Sequence, residues 1–519
     1  MKIRYIGSGT NPASYQEYPV TGVNALWQPE QVSDVSDTRA NLLIGTGRFV
    51  FDDDNGLSYA QRFSLASSLA TSYGGLRTVI LGDSRTQQNY DETATEIQGR
   101  PRWFNMLNSA LGQPFELVAN AAVNGERTDQ ILARFDSAGL GCGFGGIGSG
   151  GAAVTTNPGV SPFKPAVVFD YSGFNDIFSF GLSADTAWGY RLQILERIRH
   201  LGARLILMTI NPPNSAAAGF SAARCRELTL FNEYTRNYAR DNPGVILLDA
   251  YKACVDPASA SIEGASTDFR DSVHETNLGA LRIANLGAQV LAPFFPARDV
   301  LPASNAEAIA LDSGIKQLIS NPLLTGTAAI ATTGFSGTTA GSQLSSGSFS
   351  RSGSMTCVLS AESRAIGATS YAPVKDGYGQ NIRFQVTATA AGENIQLLLP
   401  SVHASVVSGE SYYAVADVWM AKAFNNTNAT PTALATADGC SLVQLSIQFT
   451  LDAVNNYTRE MMYQSSDKGV YGVLHQSLKT LPRRVSFTSC TVARPVLNIY
   501  ASAAGTFEVQ IGRIGMYRV

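Results

Sequence analysis

The chain has 519 residues, 15% of them charged, and a formal net charge of −3 at neutral pH; that length implies two or three domains rather than one core. The near-balanced charge, with no Lys/Arg-rich run, argues against a nucleic-acid partner, and no run of about 18 apolar residues offers a membrane span. The six cysteines (Cys142, Cys225, Cys254, Cys357, Cys440, Cys490) form no C-x-x-C pair, so a metal cluster is not expected; Cys225 with Cys254 is the one disulfide worth testing.

Residues 1–55 read as a small module, with short strands at Ile3–Tyr5 and Phe49–Phe51. Ser36 is placed to cap a short helix through Leu43, which Gly45 and Gly47 would end. Residues 56–74 read as a linker or helix. From 75 to 298 the pattern becomes alternating strands and helices. Short, continuously apolar runs at Thr78–Leu81, Phe115–Val118, Ala166–Phe169, Leu205–Met208 and Val245–Leu248 predict buried parallel strands. Between the third and fourth, Trp188, Leu192, Leu195, Ile198 and Leu201 fall at helical spacing, with Asp185 near the start and Gly202 after the end. Five such strands with crossover helices imply an α/β, doubly wound parallel sheet, which binds ligands outside the carboxyl ends of its strands.

Residues 299–519 lose the helical period. Ile382, Phe384 and Val386 alternate with polar residues, as do Leu445, Ile447, Phe449 and Leu451, and Phe507, Val509 and Ile511. Strict alternation predicts an antiparallel, jelly-roll-like β-sandwich with one packed face and one wet face. The Ser/Gly-rich stretch 333–354 reads as a loop. Tyr412, Tyr413 and Trp419 are candidates for exposed aromatic rings, although the same residues in a strand are more often core.

The chemistry concentrates at strand ends. The first predicted strand runs into Gly82-Asp83-Ser84-Arg85, the second into Asn124-Gly125-Glu126-Arg127, and the third into Gly173-Phe174-Asn175-Asp176. Asp271-Ser272-Val273-His274 precedes the last helix. Gly-Asp-Ser alone is a weak signal, but the wound sheet would bring all four blocks to one rim. In this order and spacing they resemble the SGNH/GDSL hydrolase family, and the resemblance covers the whole middle region.

That resemblance implies a serine esterase. Ser84 would be the nucleophile, His274 its general base and then acid, and Asp271 the carboxylate that orients the imidazole. The Ser84 N–H, the Gly125 N–H and the Asn175 amide would form the oxyanion hole. Asp83, Asp176 and Arg85 are held as supporting residues. Arg85 stands where relatives carry small or apolar residues, and two uses are open: meeting an acidic sugar, or pairing with a neighbouring aspartate. Ala122 likewise stands where many relatives place a glycine. The mechanism calls for no metal or organic cofactor. The Gly-rich insertion 139–165 is either a lid or a surface loop without function.

The N-terminal segment loosely resembles small head- or tail-associated modules of bacteriophages, and the C-terminal sandwich is similar to carbohydrate-binding modules and phage receptor-binding domains. The start, Met1-Lys2-Ile3-Arg4-Tyr5, leads directly into polar sequence and predicts no secretory signal. The expected role is removal of O-acetyl groups from a host surface polysaccharide by a phage tail fibre or tailspike. Tail or baseplate proteins would be partners, and a trimer would follow by analogy. The alternatives are a secreted bacterial carbohydrate esterase and a catalytically inactive receptor-binding protein.

Overall fold

The computed structural model describes residues 75–518 apart from 93–94, 138–146, 149–157, 218, 260–262, 299, 306–315, 327, 330–333, 340–348, 426–430, 436–437 and 465–473, together with five short strands before residue 75. The expected helix at 36–43 and the linker 56–74 lie outside the described residues. Near the N-terminus, Lys2–Tyr5 pairs antiparallel with Phe49–Phe51, Ile3 opposite Phe51.

The centre of the region 75–298 is a five-stranded, all-parallel sheet. Its strands are β1 (Leu76–Gly82), β2 (Phe115–Ala122), β3 (Val167–Tyr171), β4 (Arg204–Met208) and β5 (Ile246–Leu248), in the order 2-1-3-4-5. Each lies where an apolar run predicts a strand. The runs are continuous because both faces are covered. Ile80, Phe169 and Ile206 pack with Trp103, Leu107 and Ile283 on one side. Their neighbours Val79, Val168 and Leu205 pack with Ile194, Leu195 and Ile198 on the other.

Among the described residues, six helices join these strands and two follow β5: α1 (Ser84–Gln87), α2 (Trp103–Ala110), α3 (Thr128–Ala133), α4 (Phe174–Phe178), α5 (Ala184–His200), α6 (Ala222–Asp241), then α7 (Ala250–Cys254) and α8 (Asn277–Leu291). The predicted helix is α5. Its cap is Ser183, whose hydroxyl accepts the Thr186 N–H at 3.3 Å, while Asp185 sits in the first turn where it favours the helix dipole. Arg191 of α5 reaches under the sheet to Asp170 of β3 at 2.7 Å, both fully buried, and also donates to the Met208 carbonyl at 2.8 Å. This pair ties α5 to the carboxyl ends of β3 and β4.

The C-terminal region is a two-sheet sandwich. Strands Thr356–Ser363, Gln380–Ala388, Gly505–Arg518 and Ser411–Ala421 centre one sheet. Asn394–Leu398, Cys490–Ala501, Cys440–Leu451 and Val454–Gln464 centre the other. The alternating residues Phe384, Val509, Leu445 and Ile447 meet in the core between them. Most pairings are antiparallel, but Phe335–Thr339 runs parallel to Thr356–Ser363.

Three expectations need correction here. The outer face is not simply wet: Arg383 is buried and paired with Glu508 at 2.5 Å, and Gln510 donates to the Tyr371 carbonyl at 2.7 Å, because the segment carrying Tyr371 folds over this face. The stretch 333–354 is not all loop, since it contains the strands Phe335–Thr339 and Phe349–Ser352. Tyr412, Tyr413 and Trp419 are core residues, 0%, 7% and 2% exposed, so they offer no surface platform.

The sandwich also borrows from the region 75–298. Glu96–Gly99 runs parallel to Val454–Gln464 and carries Tyr90–Glu92 at the sheet's end, and Ile147–Gly148 of the Gly-rich insertion pairs with Arg483–Ser486. The rest of that insertion's interior lies largely outside the described residues. Cys225 and Cys254 are both buried free thiols, not a disulfide; Cys142 lies outside the described residues.

Candidate active site

Register places the three strand-end blocks side by side. Gly82, the last residue of β1, pairs with Tyr171 of β3 on one side and Ala122 of β2 on the other. Ser84 follows two residues later, Gly125 three residues past Ala122, and Asn175 four past Tyr171. The sheet order reverses between β1 and β3, so these blocks line the crevice where doubly wound sheets take their ligands.

The turn after β1 is tight. A Cβ on Gly82 would lie 2.7 Å from the Tyr171 carbonyl oxygen, so the approach of β1 to β3 demands glycine. Asp83 then caps α1, its carboxylate accepting the Arg85 N–H at 3.1 Å. Burial pushes the Asp83 carboxyl up to about 6, against the pull of the Arg85 charge and N–H.

Ser84 begins α1 and is 8% exposed. Its Oγ lies 2.8 Å from His274 Nε2, across 190 residues of chain. His274 Nδ1 lies 2.8 Å and 3.0 Å from the two oxygens of Asp271. The same carboxylate accepts the backbone N–H of His274 at 2.8 Å and of Val273 at 3.2 Å. Ser272 takes a positive φ of 69° to make that turn. Burial pushes the Asp271 carboxyl up, but the His274 N–H and ring outweigh it, and its pKa is lowered from 3.8.

Gly125 has a φ of +77°, a left-handed conformation that side chains disfavour. Among the described residues, no acceptor meets the backbone N–H of Ser84 or of Gly125. The Asn175 amide donates to the Glu126 carbonyl at 2.9 Å, which joins the third block to the second and leaves one amide proton over. Its oxygen accepts the Ser179 hydroxyl at 3.0 Å, which sets the orientation of the amide.

The supporting residues divide. Asp176 is fully buried and accepts both the Thr128 N–H at 3.0 Å and the Thr128 hydroxyl at 2.6 Å, so it anchors the N-terminus of α3. Burial raises its pKa, and those same Thr128 hydrogen bonds oppose the rise. With its side chain Arg85 meets neither predicted partner. It is 1% exposed, its guanidinium 3.7 Å over the Phe174 ring and its Nη1 donating to the Asn211 carbonyl at 3.0 Å and to the Asn211 side chain. An arginine so enclosed cannot reach a sugar; its guanidinium bonds Asn211, while its charge and backbone N–H still act on Asp83.

Asn211, Glu275 and Tyr171 were not singled out from the sequence. Glu275, next to the base, is 4% exposed; its Oε1 accepts from Asn211 Nδ2 at 2.9 Å and from Tyr171 Oη at 3.1 Å. The Tyr171 hydroxyl also meets Asn211 Oδ1. The residue after the serine and the residue after the histidine therefore converge on one buried asparagine. A charged residue following each of Ser84 and His274 was the available signal, but nothing in the spacing pairs them.

Among the described residues, no group of three His, Cys, Asp or Glu side chains is placed to hold a metal, and no helix is long and apolar enough to cross a membrane.

Residues 80–281 match the model of the GDSL-like lipase/acylhydrolase family. Similar solved structures include a GDSL-like lipase from Bacteroides thetaiotaomicron, at 16% identity and a TM-score of 0.31 over 46% of this chain and 99% of that one. An acetyl xylan esterase is similar at 17% identity and 0.31, over 41% and 97%. An acetyl-xylooligosaccharide esterase from Geobacillus stearmophilus is similar at 15% and 0.31, over 43% and 97%. No curated protein matches the chain. The chain thus carries, across residues 80–281, a domain of the GDSL/SGNH lipase–acylhydrolase family, whose members are hydrolases acting on esters.

Proposed function

We propose that this protein is a serine esterase that removes O-acetyl groups from a bacterial surface polysaccharide, as part of a phage tail fibre or tailspike. The observation that carries the esterase reading is the continuous chain from Asp271 through His274 to Ser84 Oγ, with both links at 2.8 Å. Ser84 Oγ attacks the ester carbonyl while His274 Nε2 takes its proton. Asp271 holds the Nδ1 proton and stabilises the imidazolium. The unpartnered N–H groups of Ser84 and Gly125, with the spare Asn175 amide proton, receive the oxyanion. Collapse expels the sugar hydroxyl, which takes its proton from His274. Water then attacks the acetyl-serine by the same route, releasing acetate and restoring the serine.

The finer reading rests on composition and on the neighbouring regions: low charge, a β-rich C-terminal sandwich and the phage-like N-terminal segment. The test is acetate release from intact host polysaccharide, wild type against Ser84→Ala. Release by wild type alone supports the proposal. No release by either protein, with polysaccharide binding intact, supports the inactive receptor-binding alternative instead.

A further inference from the structure

The aromatic residues that were candidates to face sugar in the sandwich are buried, but an exposed ring stands elsewhere, five residues after Asn175. Phe180 follows α4, and 53% of it is exposed. A single exposed phenylalanine is ordinary; the support beneath this one is not. The Arg127 guanidinium carbon lies 4.5 Å from its ring centroid. Arg127 is itself held by Asp129 through two hydrogen bonds, Nε at 2.9 Å and Nη2 at 2.8 Å. That paired geometry fixes the guanidinium plane and, through it, the ring.

The platform is tied to the oxyanion donors on both sides. The Phe180 N–H donates to the Asn175 carbonyl at 3.0 Å, and the Asn175 side chain holds the Glu126 carbonyl, one residue from Arg127. Arg127 lies two residues after Gly125 and Phe180 five after Asn175. The two donor blocks thus each contribute one member of the stacked pair.

We infer that Phe180, backed by Arg127, is a stacking subsite for a pyranose ring of the polysaccharide whose ester is presented to Ser84. This rests on the esterase reading above and specifies where the carbohydrate is gripped. The chemistry suits a sugar: a pyranose has a C–H face that packs on an aromatic ring and equatorial hydroxyls that seek polar neighbours. Here the ring is backed by a guanidinium that a carboxylate holds in place. The Arg127 charge is already neutralised by Asp129, so the site is built for a neutral sugar face and not for an anion.

The test compares two substrates on four proteins. Wild type, Phe180→Ala, Phe180→Trp and Ser84→Ala are assayed on p-nitrophenyl acetate and on acetylated polysaccharide. Loss of the stacking ring should raise KM for polysaccharide about tenfold or more, the fold-change of roughly 1.4 kcal/mol, with kcat and small-ester turnover unchanged. Phe180→Trp should restore or improve KM. An unchanged KM in Phe180→Ala overturns the subsite while leaving the esterase intact. A fall in small-ester turnover in Phe180→Ala also overturns it, because the ring would then be supporting Asn175. A preference of wild type for long-chain acyl esters that disappears in Phe180→Ala would assign the ring to an acyl chain and refute the sugar. Activity of Ser84→Ala equal to wild type would instead remove the underlying esterase reading.

Discussion

Replacing Glu275 by alanine removes the acceptor shared by Asn211 Nδ2 at 2.9 Å and Tyr171 Oη at 3.1 Å. The tyrosine keeps Asn211 Oδ1, so the direct loss falls on the asparagine amide, a buried donor left without its partner. Such an orphan costs about 1–3 kcal/mol. The loss is not confined to stability, because Glu275 adjoins His274 in sequence while Asn211 grips Arg85, the neighbour of Ser84. Slackening this link lets the histidine drift from the serine, and a shift of about 1 Å in a reacting group can cost on the order of 100-fold in rate. We therefore expect Glu275→Ala to lower kcat on p-nitrophenyl acetate by one to two powers of ten, about 1.4–2.8 kcal/mol in barrier, with little change in KM. Labelling of Ser84 by a fluorophosphonate should slow in parallel, and that reading does not depend on the natural ester. Glu275→Gln keeps an oxygen in the accepting position and should retain most of the activity. If Glu275→Ala turns over and melts like wild type, or if the glutamine variant is as damaged as the alanine variant, the positioning argument fails.

Asn175→Ala removes a proposed oxyanion donor and should cost about 100- to 1,000-fold in kcat with KM nearly unchanged, measured on the same small ester. Asp83→Asn should stabilise the protein increasingly as pH rises from about 4 to about 6, and by a constant margin above that. The folded pKa of Asp83, about 6, exceeds its ordinary 3.8, so its stabilising contribution is complete below 3.8 and lost as pH rises through 6. Melting temperatures of variant and wild type should accordingly diverge at pH 8 and converge towards pH 4. Excising residues 75–298 should yield an insoluble or poorly labelled product. The cut strips Glu96–Gly99 of its partner Tyr457–Glu460, breaks the Arg459–Glu96 ion pair at 3.0 Å, and takes Leu481 from the core it shares with Trp103 and Phe104. A monodisperse fragment with full esterase turnover would contradict that coupling.

What could be read in advance follows from the range of the interactions involved. The five central strands were legible because burial on both faces makes each an unbroken apolar run, a signal contained in five or six residues. The sandwich core was legible for the complementary reason, alternation at a period of two. Ser84 and His274 carry local motifs whose joint order is rarer than either alone, so 190 residues of separation did not hide their pairing. The Glu275–Asn211–Arg85 link has no such motif. Each member is a common polar residue, and only the fold decides that three turns from different strands face one another. The use of Arg85 stayed open for the same reason: a charged residue beside a nucleophile fits a substrate contact or a neighbouring aspartate equally, and only the fold shows that the face of Phe174 and the oxygens of Asn211 enclose it. The aromatics misled in the opposite direction. Alternation assigns Tyr412 and Tyr413 to opposite faces of one strand, which left either a candidate for exposure. Both are buried because the second face of that strand is covered as well: Tyr413 stacks on Tyr517 at 5.2 Å, beneath Leu301. Period-two patterning reports which side of a strand meets the principal core; it carries no information about a second layer laid over the other side. That second layer comes from the connection between the two regions, and separate segments within residues 75–298 carry Glu96–Gly99 and Ile147–Gly148 into the C-terminal sheets. The segment following the nucleophile is thereby built into the sandwich, which makes the C-terminal region part of the framework that holds Ser84 in place.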